Sequence, residues 1–208
     1  RNTQELFEEA GLSFDDVCRT RIYLADRAYR EPVYQAIGKH FGETYPCSTG
    51  LIMDGFARPE ILFEIDMFIT KTNGTPHQRF HKFHTDDMYT DGQNLGMRFC
   101  KIVKAGNRVY LRGQTGSTLD GKFNTLGDPA AQAHQAMENI ETLLAEAGAS
   151  MNDVCKISTY ILHRGHREAI YRAIGEHVKG VHPCGTGLIV NGFAKPHLLV
   201  EIDVEAVI

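Results

Sequence analysis

Residues 9–66 match residues 146–203 at a constant offset of 137, without a gap, and 30 of the 58 paired positions are identical. EAGLSFDDVC is answered by EAGASMNDVC, and YPCSTGLIMDGFARPEILFEID by HPCGTGLIVNGFAKPHLLVEID. Agreement of this kind means two copies of one folding unit. The period is far longer than the roughly 20–50 residues of a solenoid repeat. A chain of 208 residues is one large domain or two small ones, and the repeat selects two.

The second copy reads completely. Met97–Lys104 and Arg108–Gln114 are short apolar-rich runs joined by Ala105-Gly106-Asn107, the pattern of a β-hairpin. Asp128-Pro129 is an N-cap followed by proline at the first helical position, and the helix stops at Gly148. Val154–Leu162 reads as a strand and Arg167–Val178 as a helix. Leu188–Val190 and Leu198–Val204 read as two more strands, the last alternating like a half-buried edge. The order is β-β-α-β-α-β-β. The first copy repeats this order from its first helix onward, with Arg1 aligned to Glu138 inside that helix, so the first hairpin has no counterpart. A sheet short of two strands leaves unpaired edges, so the expectation is a fragment, or a hairpin supplied by another chain. Residues 71–96 are polar with Gly and Pro and read as a linker.

Composition narrows the function. Lys+Arg 22 against Asp+Glu 26 gives a net charge of −4, so no global basic field favours nucleic acid. Lys101, Lys104, Arg108 and Arg112 cluster around the hairpin, but no RNA-binding aromatic motif accompanies them. No run approaches the roughly 20 apolar residues of a membrane span. Five cysteines without a CxxC pair argue against a disulfide framework and for a reducing, cytoplasmic location. His77, His81 and His84 are spaced i, i+4, i+7, but follow Pro76 in a segment read as loop, so no metal site is assigned.

The complete copy resembles the RidA family (YjgF-like, also known as endoribonuclease L-PSP). The residues that carry the likeness are the hairpin Ala105–Gln114, the helix start Gln132–Asn139, Val154–Tyr160, Pro183, and Val200-Glu201-Ile202-Asp203. The likeness spans residues 97–208 and, in part, 1–70. It implies an α+β fold of two tandem chorismate-mutase-like β-β-α-β-α-β-β modules, the first lacking its N-terminal hairpin. The expected domains are 1–70, a linker 71–96, and 97–208. The family's activity implies hydrolytic deamination of a small enamine or imine, without a cofactor. It also implies a homo-oligomer with three-fold or pseudo-three-fold modules and clefts between neighbours, one lined by Pro46–Leu51 with Glu64 and another by Pro183–Leu188 with Glu201.

Candidate site residues follow. Glu201, and Glu64 in the first copy, match the family's last-strand glutamate, which can hold and activate a water; an outward-facing strand residue is the plainer alternative. Cys47 and Cys184 each follow proline and precede x-Thr-Gly. Each is a thiol nucleophile if a neighbour lowers its pKa, which would make a Cys-dependent hydrolase of a small amide, or else a small buried hydrophobe. Phe99, Arg112, Gly113, Gln114, Thr49 and Thr186 complete the expected substrate contacts. The family's carboxylate-binding arginine is replaced here by Ser48 and Gly185, which admits the alternative of a ligand-binding protein without catalysis.

Overall fold

The computed structural model describes residues 2–72, 74–88 and 93–208. In chain order the elements are α1 (Asn2–Ala10), β1 (Val17–Leu24), α2 (Arg30–Phe41), β2 (Cys47–Ile52) and β3 (Phe63–Ile69). β4 (Gln78–Phe80), β5 (Phe83–His84), α3 (Thr85–Met88) and β6 (Arg98–Phe99) follow. The remainder is β7 (Ile102–Ala105), β8 (Arg108–Leu111), α4 (Pro129–Glu146), β9 (Val154–Ile161), α5 (Arg167–His177), β10 (Cys184–Ile189) and β11 (Val200–Val207). The architecture is mixed α+β.

The strands form a three-stranded sheet, β2-β1-β3, a six-stranded sheet, β10-β9-β11-β8-β7-β4, and a small β5-β6 pair. In the first sheet β1 runs parallel to β2 and antiparallel to β3; in the second β9 runs parallel to β10 and antiparallel to β11. The registers coincide at the offset of the sequence repeat, Arg19↔Cys47 answering Lys156↔Cys184. A register shift falls at the same place in both, Val17/Arg19 and Glu205/Ala206.

Local chemistry accounts for the elements that hold the site. Asp128 accepts hydrogen bonds from the N–H groups of Ala130 and Ala131, satisfying two of the donors that a helix start leaves free. The buried face of α4 carries Ala133, Ala136, Met137, Ile140, Leu143 and Leu144 against the six-stranded sheet. Two amides on the same face are also buried. Gln132 donates to the carbonyls of Thr125 and His197 and accepts from the Leu199 N–H, while Asn139 donates to the Ser117 carbonyl. They fasten the loop after β8, and the approach to β11, to the helix. The β7–β8 hairpin turns at Gly106, whose φ of +60° a glycine adopts without strain.

Two expectations are revised. β11 is an inner strand between β9 and β8, not an edge. Its Val200, Ile202, Val204 and Ala206 face the helices, and its acidic residues face the first sheet. The segment expected to be only a linker supplies β4, which pairs with β7 and extends the sheet to six strands. The first sheet ends at β3, with no hairpin beside it among the described residues.

The two sheets meet face to face along β1 and β11. Arg19, fully buried, bonds the Glu205 carboxylate at 2.5 Å, and Arg21 bonds Asp203 at 3.0 Å. The Thr49 hydroxyl donates to Asp203. Apolar contacts continue on both sides, with Cys47 beside Cys100, Val103 and Tyr110, and Leu51 beside Tyr160, Phe193 and Leu198. At the end of β2, Ile52 exchanges backbone hydrogen bonds with Gly192 and Asn191.

Candidate active site

The alternation along β11 places three acids on one face, with three different fates. Glu205 is paired with Arg19 and Asp203 with Arg21. Glu201 lines a cleft of about 150 Å³ between the halves of the chain. One wall comes from α2 and β2 and carries Arg30, Tyr34, Ser48 and Gly50. The other carries Phe99, Lys101, Arg112, Gly113 and Gln114, with Lys195 and Leu198 ahead of β11 and the loop 115–121 as rim.

Glu201 is 6% exposed. Burial, and then the neighbouring Asp203 carboxylate, push its pKa up to about 8, against the opposing pull of Arg112, Arg30 and Arg21. It is therefore largely protonated near neutral pH, a carboxylic acid able to deliver a proton. Gly113 lets the carboxyl sit where it does. A Cβ there would collide with the Glu201 carboxyl and would lie 2.8 Å from the Thr49 hydroxyl and 3.0 Å from Asp203. Gly50 works alike on the opposite wall, where a Cβ would strike the Tyr34 hydroxyl and come within 3.1 Å of the Arg30 guanidinium. Gln114 is fixed by a two-way backbone pairing with Ile202. Lys101 donates to the Leu119 carbonyl, and burial followed by the nearby Arg112 lowers its pKa.

Of the residues expected from the sequence, Glu201, Phe99, Arg112, Gly113 and Gln114 converge on this cleft. Thr49 lies just behind it, committed to Asp203. The other four do not join them. Glu64 is exposed on β3. Thr186 is exposed on β10 and accepts a hydrogen bond from Lys156. Cys184 is exposed on the same strand. Cys47 is fully buried, with its sulfur 4.0 Å from that of Cys100 and 3.4 Å from the Tyr110 carbonyl; burial raises its pKa well above the usual thiol value and keeps it protonated. That is the opposite of an activated nucleophile. The pairing of walls also differs from expectation, because the Pro46–Leu51 strand faces Glu201 rather than Glu64. His77, His81 and His84 bond separately to the Thr70 carbonyl, Glu146 and Asp86, and no cluster fit for a metal ion occurs among the described residues.

Sequence reasoning missed Arg30, Tyr34, Lys101 and Lys195 in this cleft. A signal for the first two was present. Arg30, Tyr34 and Gly50 recur at the repeat offset as Arg167, Tyr171 and Gly187, with the guanidinium over the ring at 4.8 Å in one copy and 4.7 Å in the other.

Comparison with known proteins agrees with the fold. An uncharacterized protein of Streptomyces coelicolor is 32% identical over 108 residues, covering 52% of this chain and 80% of that protein. A 2-iminobutanoate/2-iminopropanoate deaminase of Dermatophagoides farinae is 26% identical over 110 residues, covering 53% of this chain and 84% of that enzyme. Among solved structures, a YjgF/YER057c/UK114 family member from Mycobacterium tuberculosis superposes with a TM-score of 0.52 at 23% identity, covering 64% of this chain and 99% of that one. The family model described as Endoribonuclease L-PSP matches residues 94–208, more than half of the chain, and with the hairpin, the capped helix and β11 all inside that span, the chain belongs to the RidA (YjgF-like, endoribonuclease L-PSP) family.

Proposed function

We propose that the protein is a hydrolytic deaminase of a small enamine or imine, built from two tandem family modules. The observation that carries this reading is the protonated, buried Glu201 facing an open cleft. Its proton passes to the enamine carbon, giving an iminium and a carboxylate. The carboxylate then takes a proton from a water as that water adds to the C=N carbon. The carbinolamine loses ammonia, its hydroxyl proton moving to nitrogen, and the carbonyl product remains. Overall, enamine and water give carbonyl compound and ammonia, and Glu201 ends as it began. A carboxyl group with a pKa near the working pH suits both halves of this exchange. Glu201→Gln keeps the shape and removes the acid proton, so ammonia release from any accepted substrate should fall at least a hundredfold while circular dichroism stays unchanged. Cys184→Ala should leave turnover as it was. Turnover surviving Glu201→Gln and lost in Cys184→Ala would move the chemistry to the thiol.

A second reading, ligand binding without catalysis, is favoured by Ser48, which stands where the deaminating members carry arginine. The same assay separates them, since a binder releases no ammonia. For assembly we infer a homo-oligomer. Leu188 and Ile189 on β10 are 43% and 42% exposed, whereas their repeat counterparts Leu51 and Ile52 are buried by the other half of the chain. A second copy is the partner that would cover them in the same way.

A further inference from the structure

Arg30 opens α2, is only 6% exposed, and lines the Glu201 cleft. A guanidinium keeps its charge at any ordinary pH, so burying one is costly unless its donors are used. Inside the protein they are used in part. Nε donates to the Gln93 amide oxygen at 3.0 Å and Nη1 to the Tyr34 hydroxyl at 3.5 Å, while the guanidinium carbon lies over the Tyr34 ring at 4.8 Å. Among the described residues the hydrogen bonds of Arg30 go to these two neutral groups, and Nη2 takes part in neither. The side chain is thereby fixed, and a fixed planar fork loses little further freedom when it binds.

The surface around it is shaped for a small anion with an apolar tail. Ser48 and Gly50 are two residues apart on β2, hence on one face of that strand, and both line the cleft. Gly50 keeps this face bare where the guanidinium crosses it, since a Cβ there would come within 3.1 Å of Nη1. The Ser48 hydroxyl accepts from that of Thr20 at 3.2 Å, which leaves its own proton to donate. Phe99 and Leu198 supply apolar lining nearby, the Phe99 ring centroid lying 6.1 Å from that of Tyr34. Arg30 is also close enough to the Glu201 carboxyl to act on its pKa.

We propose that Arg30 and Ser48 form the carboxylate-binding end of the cleft. The guanidinium and the hydroxyl hold one carboxylate of the ligand, Phe99 and Leu198 cover its carbon chain, and the carbon next to the carboxylate lies at Glu201. One guanidinium and one hydroxyl suit a planar, singly charged group. The size fits a short chain, because a cavity of roughly 150 Å³ holds a molecule about as large as benzene. The binding stands by itself; only what happens to that carbon at Glu201 rests on the deaminase reading.

The test uses the whole chain and three non-reacting probes, butyrate, its uncharged counterpart butyramide, and inorganic phosphate, each titrated at neutral pH and followed by NMR chemical shifts. Butyrate should bind at least tenfold more tightly than butyramide. Arg30→Gln should level the two while leaving butyramide binding as it was, which shows the cleft intact. Arg30→Lys should keep part of the preference, and serves if the glutamine variant fails to fold. Adding Ser48→Arg to Arg30→Gln puts a guanidinium back on the same face of β2 and should restore the preference, which a merely structural role for Arg30 would not allow. Equal affinities for butyrate and butyramide, phosphate binding above butyrate, or a preference that survives Arg30→Gln and is lost in Arg112→Gln would overturn the proposal. Glu201→Gln separates the two readings, because it should abolish ammonia release yet keep the preference for butyrate. An Arg30-dependent preference in a protein that releases no ammonia from any imine would sink the deaminase and keep the carboxylate site. Ammonia release with butyrate and butyramide bound alike would do the reverse.

Discussion

A carboxyl group held at a pKa of about 8 contributes a pH dependence of the same sign to the proposed chemistry and to the fold. Proton delivery from Glu201 requires the acid form. The rate of enamine hydrolysis should therefore fall as pH rises through about 8, and a pH–rate profile in which the rate climbs there instead would count against the role. The consequence for stability has the same sign. The folded pKa lies above the ordinary value of 4.5, so the native state holds this proton more tightly than the unfolded chain. That contribution is complete below pH 4.5 and is lost as pH rises through about 8, amounting to a few kcal/mol on a scale of roughly 1.4 kcal/mol per unit. Denaturant titrations of Glu201→Gln should show a flatter stability between those limits than the parent protein. The neighbouring acids behave differently because they are paired. Asp203 and Glu205 each meet an arginine on β1, which leaves Glu201 as the acid of β11 that opens to the cleft.

Among the elements, α4 shows how far local sequence rules reach. Asp128-Pro129 announces its start, and the structure starts it there, with the aspartate capping two amides. Asp128→Ala should cost about 1 kcal/mol, a drop of roughly 2–4 °C in melting temperature for a chain of this size, and a calorimetric scan would measure it. The hairpin was equally legible, from Ala105-Gly106-Asn107 between two apolar runs. The last strand was legible as a strand but not as an inner one. Val-Glu-Ile-Asp-Val-Glu alternates strictly, and acids on one face of a strand ordinarily mean water on that face. Here they mean Arg19 and Arg21, which lie more than 180 residues away in sequence, and no local pattern reports that. β4 escaped notice for another reason: Gln78-Arg79-Phe80 is too short and polar to show any period, and pairing with β7 alone makes it a strand. The cleft was half readable. Glu201, Phe99, Arg112, Gly113 and Gln114 meet at the cleft while Cys184 and Thr186 of the same copy do not, and Arg30 and Tyr34 belong to a helix whose facing partner is settled only by how the two sheets stack.

For the whole molecule, the two sheets are not equally covered. The β2 strand is enclosed by the rest of its own chain, and β10, its counterpart in the repeat, presents Leu188 and Ile189 at its surface. If a second copy covers that surface, light scattering across a concentration series should give a mass well above the 23.3 kDa of one chain, and Leu188→Lys should return it toward that value. A single chain at every concentration would remove the oligomer from the proposal.

The cleft has its own relation to mass action. Both of its walls, Arg30 to Gly50 and Phe99 to Glu201, come from one polypeptide. A pocket assembled from separate subunits empties of partners as the protein is diluted, whereas a covalent tether holds its second wall at an effective concentration that can reach the millimolar range. On the deaminase reading, a solitary molecule carries both walls of the Glu201 pocket, and specific activity should hold on dilution because it depends on folding rather than on encounter.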